Sequence, residues 1–307
     1  MVADALALLD VVEISLGEQG DLDRAPRALR LNERLGNLAG QARVHTQMGY
    51  RQYFDGRWDE AVASYSTARD LIERVGDLPN AALASANIAE ILLDQGRLDD
   101  AEATLRESVR ISRASGSEND AAFAHSLLGR TLARQGSFEE AERLLRRARA
   151  SFAEHGAKSE IVDADAYLAE LLLLRGQPAE ALSLAEQTSA AAGRLSERPV
   201  QGPLLQRIIA GCHDALGDGE TAEIAYDRAL ELARARGADH EIAFTIAAMV
   251  ARSRHGGRPV EPALIAESRQ LRQRLGLLLD LSAAERAGEP LDLPRQESVG
   301  APAAVSP

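Results

Sequence analysis

The run Cys212-His213-Asp214 holds the three side-chain types of a nucleophile, a base and an orienting acid. Neighbours on a helix point about 100° apart, so three consecutive residues cannot converge on one another, and the run is read as structural. No pair among the six histidines and the single cysteine has zinc-ligand spacing, and no metal site is expected. Lys158 is the only lysine and is followed by Ser159 without a preceding glycine, so no phosphate-cradling Gly-Lys-Ser/Thr loop can be written. One cysteine excludes an internal disulfide and fits a reducing compartment. With no convergent acid, base and nucleophile, neither catalysis nor a cofactor is expected.

Charge narrows the partners further. Across 307 residues, 47 acidic side chains face 35 basic ones, a net charge of -12 that repels nucleic-acid phosphate and anionic lipid. The opening MVADALALLD has no basic segment, and no uncharged apolar run approaches the roughly 18 residues of a membrane span. The expectation is a cytoplasmic protein that meets neither nucleic acid nor membrane.

The elements that must position these residues follow from a repeat. A glycine followed five residues later by alanine recurs at Gly20, Gly56, Gly96, Gly136, Gly176 and Gly217, paired with Ala25, Ala61, Ala101, Ala141, Ala181 and Ala222. A second series, Gly36, Gly76, Gly116 and Gly156, keeps the same 40-residue period, offset by 20. Between glycines the apolar residues fall three and four apart, as at Ile88, Ile91 and Leu92, so each half-period predicts an amphipathic helix. Ser117 with Asp120 and Ser137 with Glu140 resemble capping boxes, and Asp59, Glu60, Asp99 and Asp100 put negative charge in first turns. Such hairpins cannot bury their own apolar faces and must stack into an all-α solenoid.

The spacing within each period resembles the tetratricopeptide repeat family, whose pattern runs W-x2-L-G-x2-Y and then A-x3-F. His125, Leu128, Gly129 and Leu132 with Ala141 and Leu145 follow it, as do His45, Met48 and Gly49 with Ala61 and Tyr65. Looser copies start at Ile88, Leu168 and Ile209; a degenerate one holds Val12, Leu16, Ala25 and Leu29, and a weaker hairpin runs from Gly237 to Gly276. The period is longer than the family's 34 residues and its terminal proline is missing, which points to a long-repeat branch. Long repeats with GRWDEA and GRLDDA at the turn also resemble the C-terminal sensor regions of bacterial signalling ATPases, class III nucleotidyl cyclases and multidomain transcriptional activators.

The resemblance implies a right-handed α-solenoid of about seven antiparallel hairpins over residues 1–276, with an Ala/Pro/Gly-rich, disordered extension at 277–307. Residues 193–204, with two prolines and two glycines, should interrupt the array. The first helix is apolar around much of its circumference (Val2, Leu6, Leu8, Leu9, Val11, Val12), so an upstream domain or a second copy is expected to cover it. His45 and His125 take the tryptophan position and His213 the tyrosine position, where packing outweighs chemistry. Trp58, matched by Leu98 and Phe138 in later repeats, should be a core residue of the hairpin turn.

In this family the first helix of each hairpin lines the inner face, and its inner positions form two columns. One is Tyr50, Glu90, Arg130 and Glu170; the other is Phe54, Asp94, Arg134 and Leu174. The lysine, asparagine and arginine of a two-carboxylate peptide clamp are missing, because a further inner position holds Thr46, Ala86, Ser126 and Ala166. Arg130 and Arg134 among Glu90, Asp94 and Glu170 read either as a ligand-binding patch or as a ladder of partly exposed ion pairs between repeats. Tyr50, Tyr53 and Phe54 read either as an anchor for a bound partner or as inter-repeat packing. The function expected is a non-catalytic module binding a protein or peptide in the groove. The alternative is the regulatory region of a larger signalling ATPase, cyclase or activator.

Overall fold

The computed structural model describes residues 23–196, 199–254 and 257–278, which form thirteen α-helices and no strand. They are α1 (Arg24–Arg34), α2 (Leu38–Phe54), α3 (Trp58–Arg74), α4 (Leu78–Gln95), α5 (Leu98–Ala114), α6 (Glu118–Arg134) and α7 (Phe138–Glu154). After these come α8 (Lys158–Leu174), α9 (Pro178–Leu195), α10 (Gly202–Ala215), α11 (Gly219–Arg236), α12 (Asp239–Ser253) and α13 (Pro262–Leu275). Each even-numbered helix pairs with the next to make a hairpin, giving six hairpins after α1. The apolar N-terminal residues 2–12 and the chain beyond 278 lie outside the described residues.

Glycine sets the frame of the repeat. Gly56 and Gly136 adopt φ of 69° and 83°, a left-handed conformation that costs an L side chain energy and costs glycine little. Each then closes the helix end: Gly136 N donates to Ala133 O at 3.1 Å and Ser137 N to Leu132 O at 2.8 Å, a Schellman arrangement that satisfies two terminal carbonyls. Helix starts depart from expectation. Asn37, Asp77 and Asp218 accept from the amide three residues on, whereas Ser117 and Ser137 make no side-chain cap. The backbone leaves each turn at nearly the same angles, and the longer side chains span a gap that a serine hydroxyl does not.

Paired helices meet at the repeated alanines. Ala61, Ala101, Ala141, Ala181 and Ala222 are all fully buried, which fixes the register inferred from the glycine spacing. The approach is tightest beside Gly129, where an added Cβ would lie 2.7 Å from Leu145 Cγ and 3.1 Å from Ala141 O. Even-numbered helices also touch one another from repeat to repeat, α4 on α6, α6 on α8, α8 on α10 and α10 on α12. They therefore occupy the shorter, inner circumference of the curve. The long connection between α9 and α10 coincides with the expected break, yet Leu204, Leu205 and Ile208 carry the core across it.

The curve closes on itself, which the repeat pattern alone does not predict. Leu275, at the end of α13, is buried in one cluster with Trp58, Ala61, Tyr65 and Ile91. Gln95 Nε2 donates to Leu275 O at 3.0 Å, and Leu278 N returns a bond to Gln95 O at 2.8 Å. His240 on α12 lies 5.5 Å from the Tyr53 ring and 5.7 Å from Trp58. The last hairpin thus seats on the second and third helices.

Candidate functional site: an enclosed inner cavity

Closure turns the concave face into a cavity of about 1000 Å³, walled by the inner helices and by the segment joining α9 to α10. Tyr50, Phe54, Glu90, Asp94 and Arg130 from the two predicted columns line it, and so does Tyr53 beside them. Arg134 and Glu170 lie behind that lining, joined to it through Arg130 and Asp94. Leu174 packs into the hydrophobic core instead.

The charged columns are neither a surface ladder nor an open patch. Arg130, Arg134, Asp94 and Glu170 are 5, 3, 3 and 7% exposed, so the expectation of partly exposed pairs is corrected to buried ones. Arg130 Nε reaches Glu170 Oε2 at 2.8 Å and its Nη1 reaches Asp94 Oδ1 at 3.4 Å. Arg134 Nη2 holds Glu170 Oε1 at 2.9 Å, and Tyr53 OH donates to Asp94 Oδ2 at 2.7 Å. Arg130 also lies over the Tyr167 ring, 4.5 Å from its centroid. Burial alone would raise the Glu170 carboxyl, but the two guanidiniums outweigh it and bring it down to about 2. The four groups are equal in charge and bind one another, so the set is internally neutral. The physical reason for the correction is the ring: its inner circumference is short, and closure removes the solvent that an open groove would leave beside the side chains.

Glu90 behaves differently. It was expected to pair with Arg130, but it forms no hydrogen bond or ion pair with a described residue, because Arg130 is committed to Glu170 and Asp94. Burial first, then Asp94 and Asp163, push its carboxyl up to about 8. Asp163 faces the same space from α8 and is pushed up to about 7, by burial, with Gln201 holding it through a hydrogen bond. Two carboxyls without an ion pair to a described residue therefore line the same cavity, with Arg130 only partly offsetting their elevation.

The aromatic residues pack on one another and line the cavity. Tyr53 stacks on Trp58, 5.9 Å apart and 5° from parallel, so it is a wall of the hairpin turn as well as of the cavity. Tyr50 and Phe54 pack edge to face at 4.8 Å and remain half-buried on the lining. Trp58 is 2% exposed and donates to Tyr53 O, as expected for a core residue.

Elsewhere the bland readings hold. His125 is buried, and desolvation, with Arg147 and Arg113 nearby, lowers its pKa to about 4, so it packs as a neutral ring. Cys212 is fully buried and its thiol is raised to about 12 by burial, far from thiolate reactivity at neutral pH. His213 turns away to Asp218, 3.4 Å distant, and forms no dyad with its neighbour. Several lining residues were not singled out as site residues in the sequence, among them Asp163, Tyr167, Ser126 and His240. Asp163 and Tyr167 stand at other inner positions of α8, which a full reading of that helix face could have found. Ser126 was noticed only as a residue that a clamp would not have, and its Oγ is buried on the wall without a partner. His240 reaches the wall only through ring closure, so no spacing rule announces it.

The architecture defines a closed helical-repeat solenoid with a polar-aromatic interior. Tetratricopeptide repeat models match residues 40–114, 81–154 and 126–197, together more than half of the chain. The chain belongs to the tetratricopeptide repeat family. No curated protein matches the sequence. Among solved structures, the fold is similar to a Rap protein complexed with competence and sporulation factor, at 13% identity and TM-score 0.66, covering 92% of this chain and 88% of that one. It is also similar to the Rap conjugation gene regulator of plasmid pLS20 in complex with the Phr* peptide, at 13% identity and TM-score 0.61, covering 89% and 95%. Aspartyl phosphate phosphatase F from Bacillus subtilis is similar at 13% identity and TM-score 0.53, over 89% and 81%. These likenesses establish the fold. None of the three carries the likeness to signalling ATPases, cyclases or transcriptional activators. No helix among the described residues is long and apolar enough to cross a membrane.

Proposed function

We propose that this chain is a non-catalytic, cytoplasmic interaction module that takes a short peptide into the space enclosed by its repeats. The observation that carries the reading is the enclosure. A cavity of about 1000 Å³ stands at the upper end of the roughly 300 to 1000 Å³ typical of small-ligand sites. It suits a short extended segment and is too confined for a folded partner, which narrows the expectation of a protein or peptide partner to the peptide. Tyr50 and Phe54 offer apolar ring area on the wall, and the neutral Arg130–Glu170–Arg134–Asp94 set behind them fixes the shape of the floor. One structural neighbour was solved with the Phr* peptide and another with competence and sporulation factor, which supports the reading for this chain.

The test is direct. The immobilised full chain is offered a pool of random hexapeptides, and retained peptides are counted by mass spectrometry. Retention is expected to drop about tenfold in Tyr50→Ala and Phe54→Ala, as for the loss of an interface anchor. Retention no greater than on the bare matrix refutes the reading.

A further inference from the structure

The charge on the cavity wall can be counted against its partners. Arg130 and Arg134 are matched by Asp94 and Glu170, and Arg207 by its ion pair with Glu241. Arg236, the remaining cation among the described residues of the wall, has interactions of its own and is equalled in number by Glu160. Glu90 and Asp163 are left over, and neither has an ion pair with a described residue. An anion entering here would meet two carboxyls with no ion-pair partner among the described residues, and guanidiniums that are already occupied. A cation would meet the reverse.

A second observation points to a ligand independently of charge. Ser126 is 3% exposed, lines the same cavity, and its Oγ has no hydrogen-bond partner. Buried hydroxyls are almost always satisfied, and an orphan costs about 1 to 3 kcal/mol, so a hydroxyl left open on a cavity wall is a place for a guest's polar atom. His240 Nδ1, on the opposite, ring-closing side, is likewise buried and unpartnered. The acidic side chains are not grouped for a metal: no three His, Cys, Asp or Glu residues among those described could hold one. Tyrosine rings at 50 and 65 share the wall, and electron-rich ring faces favour organic cations, as the Tyr167 ring already does under Arg130.

We infer that the cavity recognises the organic cation of its ligand, a guanidinium or ammonium group of a short peptide seated against Glu90 and Asp163 within reach of Ser126 Oγ. This rests on the reading of the cavity as a peptide site and adds the charge that the peptide must carry. The elevated carboxyl pKa values agree with it, since a bound cation supplies the counter-charge that the empty wall lacks.

The experiment uses the immobilised full chain and two hexapeptide pools, random except for one scanned position fixed as arginine or as its neutral isostere citrulline. The arginine pool should be retained about tenfold more strongly at one position or more, and Glu90→Gln and Asp163→Asn should each reduce that preference below about threefold. Both substitutions keep side-chain shape, and thermal unfolding of each variant confirms that it folds. Equal retention of the two pools overturns the charge inference and leaves the peptide site standing. If neither pool is retained, the peptide reading falls, and spermidine is then offered to the same chain. Uptake of spermidine that depends on Glu90 upholds recognition of a cation with a free polyamine as its source, and no uptake overturns the inference.

Discussion

The inside and the outside of this ring use the same residues to different ends. On the outer helices Arg106 holds Glu102 at 2.7 Å and Glu140 at 3.2 Å, and Arg110 holds Glu107. On the inner helices Arg130 and Arg134 hold Glu170 at almost the same distances. The outer arginines are 46 and 68% exposed in their side chains and the inner ones 6 and 3%, and that difference decides the energetics. Water screens the outer pairs, each worth about 0 to 1 kcal/mol. The inner pairs have given up their hydration, so losing one partner leaves a buried charge with nothing to face. An ion pair's distance is therefore a poor guide to its importance in a repeat protein, whereas its place on the inner or outer circumference is a good one.

The largest effect should come from unbalancing the inner set. Arg134→Gln or Glu170→Gln should each lower stability by about 3 to 5 kcal/mol, measured by chemical denaturation. A change within about 1 kcal/mol would put these groups on the same footing as surface pairs. Removing both charges together, in Arg134→Gln with Glu170→Gln, should cost less than the sum of the two single changes, because the double variant leaves no lone charge from that pair.

Next in size is the packing that brings the inner and outer helices together. Ala141→Leu should cost about 1 to 3 kcal/mol by overpacking the crossing of α6 and α7, and Gly129→Ala should also destabilise by forcing Leu145 aside. Denaturation midpoints equal to the parent's would mean that this crossing yields more easily than its close contacts indicate.

Dependent on pH, rather than fixed in size, is the effect of the two carboxyls that have no ion pair with a described residue. Glu90 titrates near 8 in the folded chain against an ordinary value of 4.5, so between these values the folded state binds a proton that the unfolded state has released. Stability should therefore fall as pH rises from about 5 to 8, by up to about 1.4 kcal/mol per pH unit from this group, with Asp163 adding to the slope below 7. Glu90→Gln should flatten the slope and raise the unfolding temperature at pH 8. A profile that rises with pH through this window would show that Glu90 is already ionised and balanced. The acid limb has the opposite sign: Glu170, held near 2, contributes stability that is full above its unfolded value near 4.3 and is lost as pH falls toward 2.

The smallest effect is reserved for the outer face. Arg110→Gln should leave the denaturation midpoint at the parent's value, and any difference should vanish with added salt. A cost comparable to that of Arg134→Gln would remove the distinction between the two circumferences.

The 40-residue spacing of glycine and alanine determined the helices, their pairing and the inner columns, because left-handed turns require glycine and tight crossings require small side chains. Those are local demands, and a residue type at a fixed interval states them fully. The sequence also made Trp58, Cys212 and the histidines structural, since the repeat assigns each a packing position. What it left undecided was enclosure. Whether Glu90, Asp94, Arg130 and Glu170 stand in water or in protein depends on small rotations accumulated over six hairpins, and no single repeat encodes that sum. Only the tertiary structure brought Leu275, His240 and Asp239 onto Trp58, Tyr53 and Gly56, residues far away along the chain. Within the curve so formed, the ion pairs are a buried neutral floor, and Glu90 and Asp163 are two wall carboxyls without an ion pair to a described residue.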